Sequence, residues 1–143
     1  MSVKWYGGLP WDDEVPFKNL SGKTITNIEG LVEGSENVLF ECSDGTRYEM
    51  YHEQDCCESV DIYDICGDVN CLLNTPITMA EERSESGDDK NSWGTYTWTF
   101  YKLATVKGYV TIRWYGCSNG YYSESVDFIK IPDDKFIETP EED

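Results

Sequence analysis

From about residue 95 to 131 the chain alternates with a period of two. Tyr96, Trp98 and Phe100 are interleaved with threonines, and Val110, Ile112 and Trp114 with Thr111, Arg113 and Tyr115. Such alternation sends successive side chains to opposite faces of a strand. It predicts a three-stranded antiparallel meander over 95–131, linked at 104–108 and again around Asn119 and Gly120. Trp98, Phe100, Val110, Ile112 and Trp114 are its expected core. Residues 38–42 and 48–52 flank Asp44 and Gly45, a dipeptide suited to the positive φ angles of a two-residue hairpin turn. The β-branched run 23–28 adds another strand. Residues 59–65 read as a strand or a short helix, and Asp68 suits the N-cap of a short helix over 68–73. Segment 81–92 is polar and reads as a loop. The expected fold is mainly β (α+β): an antiparallel sheet built from hairpins and a C-terminal three-stranded meander, with one or two short helices near residues 56–73.

The pattern divides the chain into three parts. Residues 1–19 form an irregular arm with aromatic anchors, residues 20–132 a single β-rich domain, and residues 133–143 an acidic tail expected to be flexible. There are 5 Trp, 10 Tyr and 5 Phe in 143 residues. Aromatic side chains bury a large area each, so a folded core is expected although apolar residues make up only 39%.

Charge changes the picture more than composition does. The formal net charge is −17, from 28 acids and 11 bases. Residues 53–68 carry six acids and no base, whereas residues 93–132 carry two acids and four bases. A phosphate backbone needs neutralising cations, so direct nucleic-acid binding is not expected. A basic partner surface suits the acid, as does plain solubility. The N-terminus lacks an apolar signal core and no run is long enough to span a membrane, so a cytoplasmic location is expected. In that compartment the six cysteines are expected as thiols.

The densest cluster of reactive residues holds His52, the only histidine, with Glu53, Asp55, Cys56, Cys57 and Glu58. His52, Cys56 and Cys57 are candidate metal ligands, but adjacent cysteines do not give the paired spacing of zinc sites, and no metal or cofactor is expected. Catalysis by a Cys–His pair needs His52 within hydrogen-bond reach of a thiol. His52 shares a strand face with Tyr48 and Met50, so a packing role competes with it. The acids from Asp55 to Asp68 lack a calcium-loop pattern and read as a solvated face. No nucleotide-binding loop, nucleophile elbow or zinc-protease motif is present. The expectation is a protein without catalysis.

Three runs carry a resemblance: 50–60 around His52, Cys56 and Cys57; 96–102 followed by 108–116; and 118–128 from Ser118 to Phe128. Together they resemble a family of small uncharacterised proteins encoded mainly by tailed bacteriophages. The resemblance implies a setting in bacterial host cytoplasm and brings no catalytic residue with it. With the charge, it suggests an acidic protein that inhibits a host factor with a basic surface, in an anti-defence role, its carboxylates mimicking nucleic acid. Glu53, Asp55, Glu58, Asp61 and Asp64 are the candidate contacts. The alternative is a small-ligand or nucleotide-sequestering protein in which Trp98, Trp114, Tyr115, Tyr121 and Tyr122 stack on a base and Arg113 meets phosphate. A metal-binding protein or Cys/His enzyme is the third reading.

Overall fold

In the computed structural model, residues 3–4, 15–52, 57–88, 94–119, 123–131 and 137–138 are described. Their strands are β1 (Val3–Lys4), β2 (Ile25–Glu29), β3 (Asn37–Cys42), β4 (Arg47–Tyr51), β5 (Ser59–Cys66), β6 (Met79–Asp88), β7 (Thr95–Thr105), β8 (Gly108–Ser118), β9 (Asp127–Ile131) and β10 (Ile137–Glu138). Two four-stranded antiparallel sheets result, in the orders β2-β3-β4-β9 and β5-β8-β7-β6, and β1 pairs separately with β10. The fold is mainly β, and the helical content described is two 3-10 turns, Phe17–Leu20 and Val69–Leu72.

The strands form where side chains alternate between two environments. On β8, Val110, Ile112 and Trp114 are fully buried while Tyr109, Thr111, Arg113 and Tyr115 point the other way. On β3 and β4, Val38, Phe40, Tyr48 and Met50 turn to the same core. The two sheets pack through these faces. The indole Nε1–H of Trp114 lies 3.1 Å from the sulfur of Met50, across the interface. Phe17 packs against Tyr101 and Phe128, and Tyr48 stacks on Phe128 with ring centroids 5.3 Å apart.

Register corrects the expected core. β7 pairs with β8 so that Thr99 opposes Trp114 and Tyr101 opposes Ile112. Directly opposed residues share a face, so the buried face of β7 is Thr99, Tyr101, Leu103 and Thr105. Trp98 and Phe100 oppose Tyr115 and Arg113 and stand half-buried on the outer face.

The expected meander is also displaced. The three consecutive antiparallel strands are β6, β7 and β8, so most of the segment read as a polar loop is a strand. The chain after β8 does not return beside it. It crosses to the other sheet, where Phe128 opposes Met50 on β4. The crossing is held at three points. The Glu124 carboxylate accepts hydrogen bonds from the hydroxyls of Thr95, Thr97 and Ser118 at 2.6, 2.9 and 2.5 Å. His52 Nδ1–H donates to the Ser125 carbonyl at 2.6 Å, and the Tyr101 hydroxyl to that of Val126 at 3.5 Å. Gly116 lets this strap pass, because a Cβ there would meet the Glu124 carbonyl oxygen at 2.9 Å and Val60 at 3.0 Å.

The β3–β4 hairpin forms as expected, with a different turn. Its last described pair is Glu41 opposite Arg47, and Cys42 N–H bonds to the Thr46 carbonyl, which leaves a three-residue connection. Gly45 alone takes a positive φ, +89°, as in a type I turn closed by a glycine bulge. Asp44 caps it by accepting from Lys23 Nζ and from the hydroxyl and N–H of Thr46, and these bonds hold its carboxyl far below the ordinary value. Residues 59–66 are strand, not helix. Asp68 does cap the turn that follows, accepting from Asn70 N–H at 3.0 Å.

Candidate functional site

The outer face of the second sheet carries the main concentration of solvent-facing aromatic rings among the described residues. The period of two and the register explain it. Trp98 on β7 lies opposite Tyr115 on β8 and Glu85 on β6, and Phe100 lies opposite Arg113 and Arg83. A bulge between Ile62 and Asp64 on β5 leaves Tyr63 as the extra residue, beside Arg113. Tyr63 is 55% exposed and sits edge-on to Trp98, with centroids 5.1 Å apart. Trp98 also meets Tyr115 at 4.7 Å and lies near-parallel to Phe100 at 6.2 Å.

Arg113 is the hub of this face. Its guanidinium carbon is 5.5 Å from the Tyr63 ring centre and 5.4 Å from that of Trp98. Nε and Nη2 donate to the two Asp64 oxygens at 2.7 and 2.5 Å, a bidentate ion pair. That pairing holds the Asp64 carboxyl below its ordinary range. Asp61, opposite Tyr115, goes the other way: partial burial and the charge of Glu36 raise its pKa. At the β6 side, Arg83 lies over Phe100 and Lys102 over Tyr109, at 6.0 and 5.3 Å. A groove of about 680 Å3 opens there, lined in part by Phe100, Lys18, Glu82, Arg83 and Lys102.

Only part of each expected site is assembled. Of the stacking set, Trp98, Arg113 and Tyr115 converge. Trp114 is excluded, since it is fully buried in the core. Tyr121 and Tyr122 lie outside the described residues. Of the acidic contact set, Glu53 and Asp55 also lie outside them. Glu58 is not a surface contact: its side chain has no exposed area, and it meets His52 Nε2 at 2.6 Å. Asp64 is paired with Arg113, and Asp61 is half-buried on the aromatic face. Tyr63, Phe100 and Arg83 belong to this surface; Tyr63 and Arg83 were not singled out by the sequence, and Phe100 was expected in the core. The signal for Phe100 was its alternation with Trp98, which gave the face but not its direction.

The His52 cluster is built as packing. Nδ1–H is used by the Ser125 carbonyl and Nε2 by Glu58, so neither ring nitrogen is left to activate a thiol. Cys57 is disulfide-bonded, which removes it as a free thiolate and corrects the expectation of thiols at that position. Cys56 lies outside the described residues. Cys42, Cys66, Cys71 and Cys117 are free thiols, and burial pushes the Cys42 pKa up. Among the described residues no three His, Cys, Asp or Glu side chains are placed to share a metal ion. No helix described is long and apolar enough to cross a membrane.

One further group lies apart from both clusters. Glu49 on β4 is 1% exposed, among Leu39, Tyr51, Ile129 and Ile131 on the face of the first sheet away from the core. Among the described residues neither carboxyl oxygen has a hydrogen-bond partner. Burial raises its pKa to about 9.

A family model described as a domain of unknown function, DUF7448, matches residues 18–128. No curated protein and no solved structure matches the chain.

Proposed function

This chain belongs to the DUF7448 family, and we propose from the geometry that it is a non-enzymatic binding protein which docks a basic partner protein on the outer face of its second sheet. The observation that carries the reading is the aromatic face itself: Tyr63, Trp98, Phe100 and Tyr115 around Arg113, half-buried or exposed, on a sheet whose other face is already spent on the core. Tryptophan, tyrosine and arginine are the residues that dominate binding energy at protein interfaces. These rings already hold the protein's own cations, Arg113 and Arg83, so they suit incoming lysine and arginine side chains as well. The net charge of −17 would steer such a partner towards the molecule. The identification of that partner as a bacterial host factor, and of the role as anti-defence, draws on the resemblance of the sequence to phage-encoded proteins.

The reading is tested by capture from bacterial lysate at low salt, comparing the wild-type chain with the Tyr63→Ala/Trp98→Ala variant. A basic protein held by the wild type, released by salt and lost by the variant is the expected result. Identical captured sets would remove the aromatic face from the account.

A second reading is favoured by the groove beside Phe100. Its 680 Å3 is within the usual range for small-ligand sites, and Lys18, Arg83 and Lys102 line it. A nucleotide held there would stack on Phe100 and place phosphate near these cations. Native mass spectrometry and a thermal-shift panel of nucleotides test it; a clean apo mass with no shift at millimolar ligand defeats it.

A further inference from the structure

β6 ends the second sheet, and no described strand lies beyond it. It is ten residues long, and residues 81–86 are all exposed. Alternation puts Glu81, Arg83 and Glu85 on the aromatic face and Glu82, Ser84 and Ser86 on the opposite one; the Phe17–Leu20 turn packs against β6, and no described strand pairs with its outer edge. The outward-facing row of backbone N–H and C=O groups on such an edge is a template for another strand.

The side chains select what can pair there. Glu81, Glu82, Glu85 and Asp88 outnumber the single cation Arg83, which itself leans on Glu85 at 3.7 Å. A second copy of the strand would bring these acids against each other, and like charges directly opposed are destabilising. Acids on an edge therefore guard against self-pairing while favouring an incoming strand of the opposite sign.

We infer that the β6 edge takes up a basic, extended peptide segment of the partner by strand addition. The inference rests on the proposed partner reading and gives it a docking mode. A strand added beside β6 lies about 4.8 Å from it. Alternate side chains of that strand would then project over the aromatic face, next to Glu81 and Glu85. Glu85 is itself the cross-strand neighbour of Trp98. Edge and face so form one continuous surface, in which main-chain hydrogen bonds supply affinity and the acid–aromatic row supplies selectivity.

The probe is a blocked eight-residue peptide alternating arginine and threonine, titrated into the full-length 15N-labelled chain at low salt. A second peptide has the same side chains with alternate backbone amides N-methylated. A third has glutamate in place of arginine. Strand addition predicts shift changes and slowed amide exchange within residues 81–87. It also predicts binding at least tenfold weaker for the N-methylated peptide, and none for the acidic one. Equal binding of the N-methylated peptide overturns it, because charge alone then suffices. Shifts confined to the Trp98 indole and the neighbouring rings overturn the edge and leave the aromatic face standing. Shifts along β6 with none at Trp98 do the reverse. No shift at either place overturns both. The Glu81→Lys/Glu82→Lys/Glu85→Lys variant is a second check that leaves the core untouched. It is expected to lose the arginine peptide and gain the acidic one, and unchanged preference contradicts the charge argument.

Discussion

Two tryptophans in similarly alternating strands have opposite fates, and the difference is one of parity. Trp98 and Trp114 each alternate with threonine, arginine or tyrosine positions, so the sequence shows that each strand has two faces without saying which is inside. Pairing Thr99 with Trp114 settles it. Truncating Trp114 to Ala is expected to cost about 3–5 kcal/mol, since the ring is fully buried and bonded to Met50. Truncating Trp98 loses ring contacts at a half-exposed site and is expected to cost about 1 kcal/mol. Urea unfolding of the two variants separates these values, and equal costs would contradict the assigned faces. Glu49 was equally hidden in the sequence, where it reads as an ordinary strand glutamate. Its folded pKa, about 9, lies above the ordinary 4.5, so the folded state binds the extra proton. The stability it contributes is full below about pH 4.5 and is lost as pH rises through 9. Between pH 4.5 and 7 the loss is on the order of 3 kcal/mol. Asp64 works with the opposite sign and outside that window, its contribution falling away as pH drops below its ordinary 3.8. Glu49→Gln is therefore expected to flatten the fall in stability between pH 4.5 and 9. A slope that persists in this variant would place its origin elsewhere.

Elements were legible where local chemistry decides them. The Asp44-Gly45 hairpin, the capping by Asp68 and the strand character of β7 and β8 follow from turn residues and alternation over a few positions. Pairing between distant strands was not legible. The sequence after β8 carries a turn signal at Asn119 and Gly120, and a turn signal suggests a return beside the same strand. Long-range contacts decide otherwise: Glu124 is held by three hydroxyls, Ser125 by His52, and Phe128 by the aromatic core. The same contacts explain why a histidine among cysteines and acids is packing. β6 was missed for a different reason, since its side chains are polar on both faces and its hydrogen-bonded neighbour is the only cue. The strap makes a prediction at this scale. Glu124→Ala removes three hydrogen bonds to a carboxylate and is expected to cost about 2–3 kcal/mol. It should also speed amide exchange in β9 more than in β7, as measured by hydrogen–deuterium exchange. Uniform acceleration in both sheets would mean that the strap does not fasten β9 on its own.

At the scale of the whole molecule, charge was the most legible property and its location the least. The sequence places an acidic run at 53–68, and the structure takes Glu58 into the interior and ties Asp64 to Arg113. What remains for recognition is a sheet face where rings, a paired arginine and the acids of β6 lie side by side. Association through it should weaken as salt rises, because the net charge acts at a distance and the short-range contacts follow. The central claim is that the partner touches this face. Photo-crosslinking tests it most directly, with Tyr63 replaced by benzoylphenylalanine in one protein and Val106 in another. Val106 is 85% exposed at the β7–β8 turn, away from the rings. Crosslinks to a basic protein from position 63 and none from position 106 are the predicted result. Crosslinks from position 106 with none from position 63 would contradict the account.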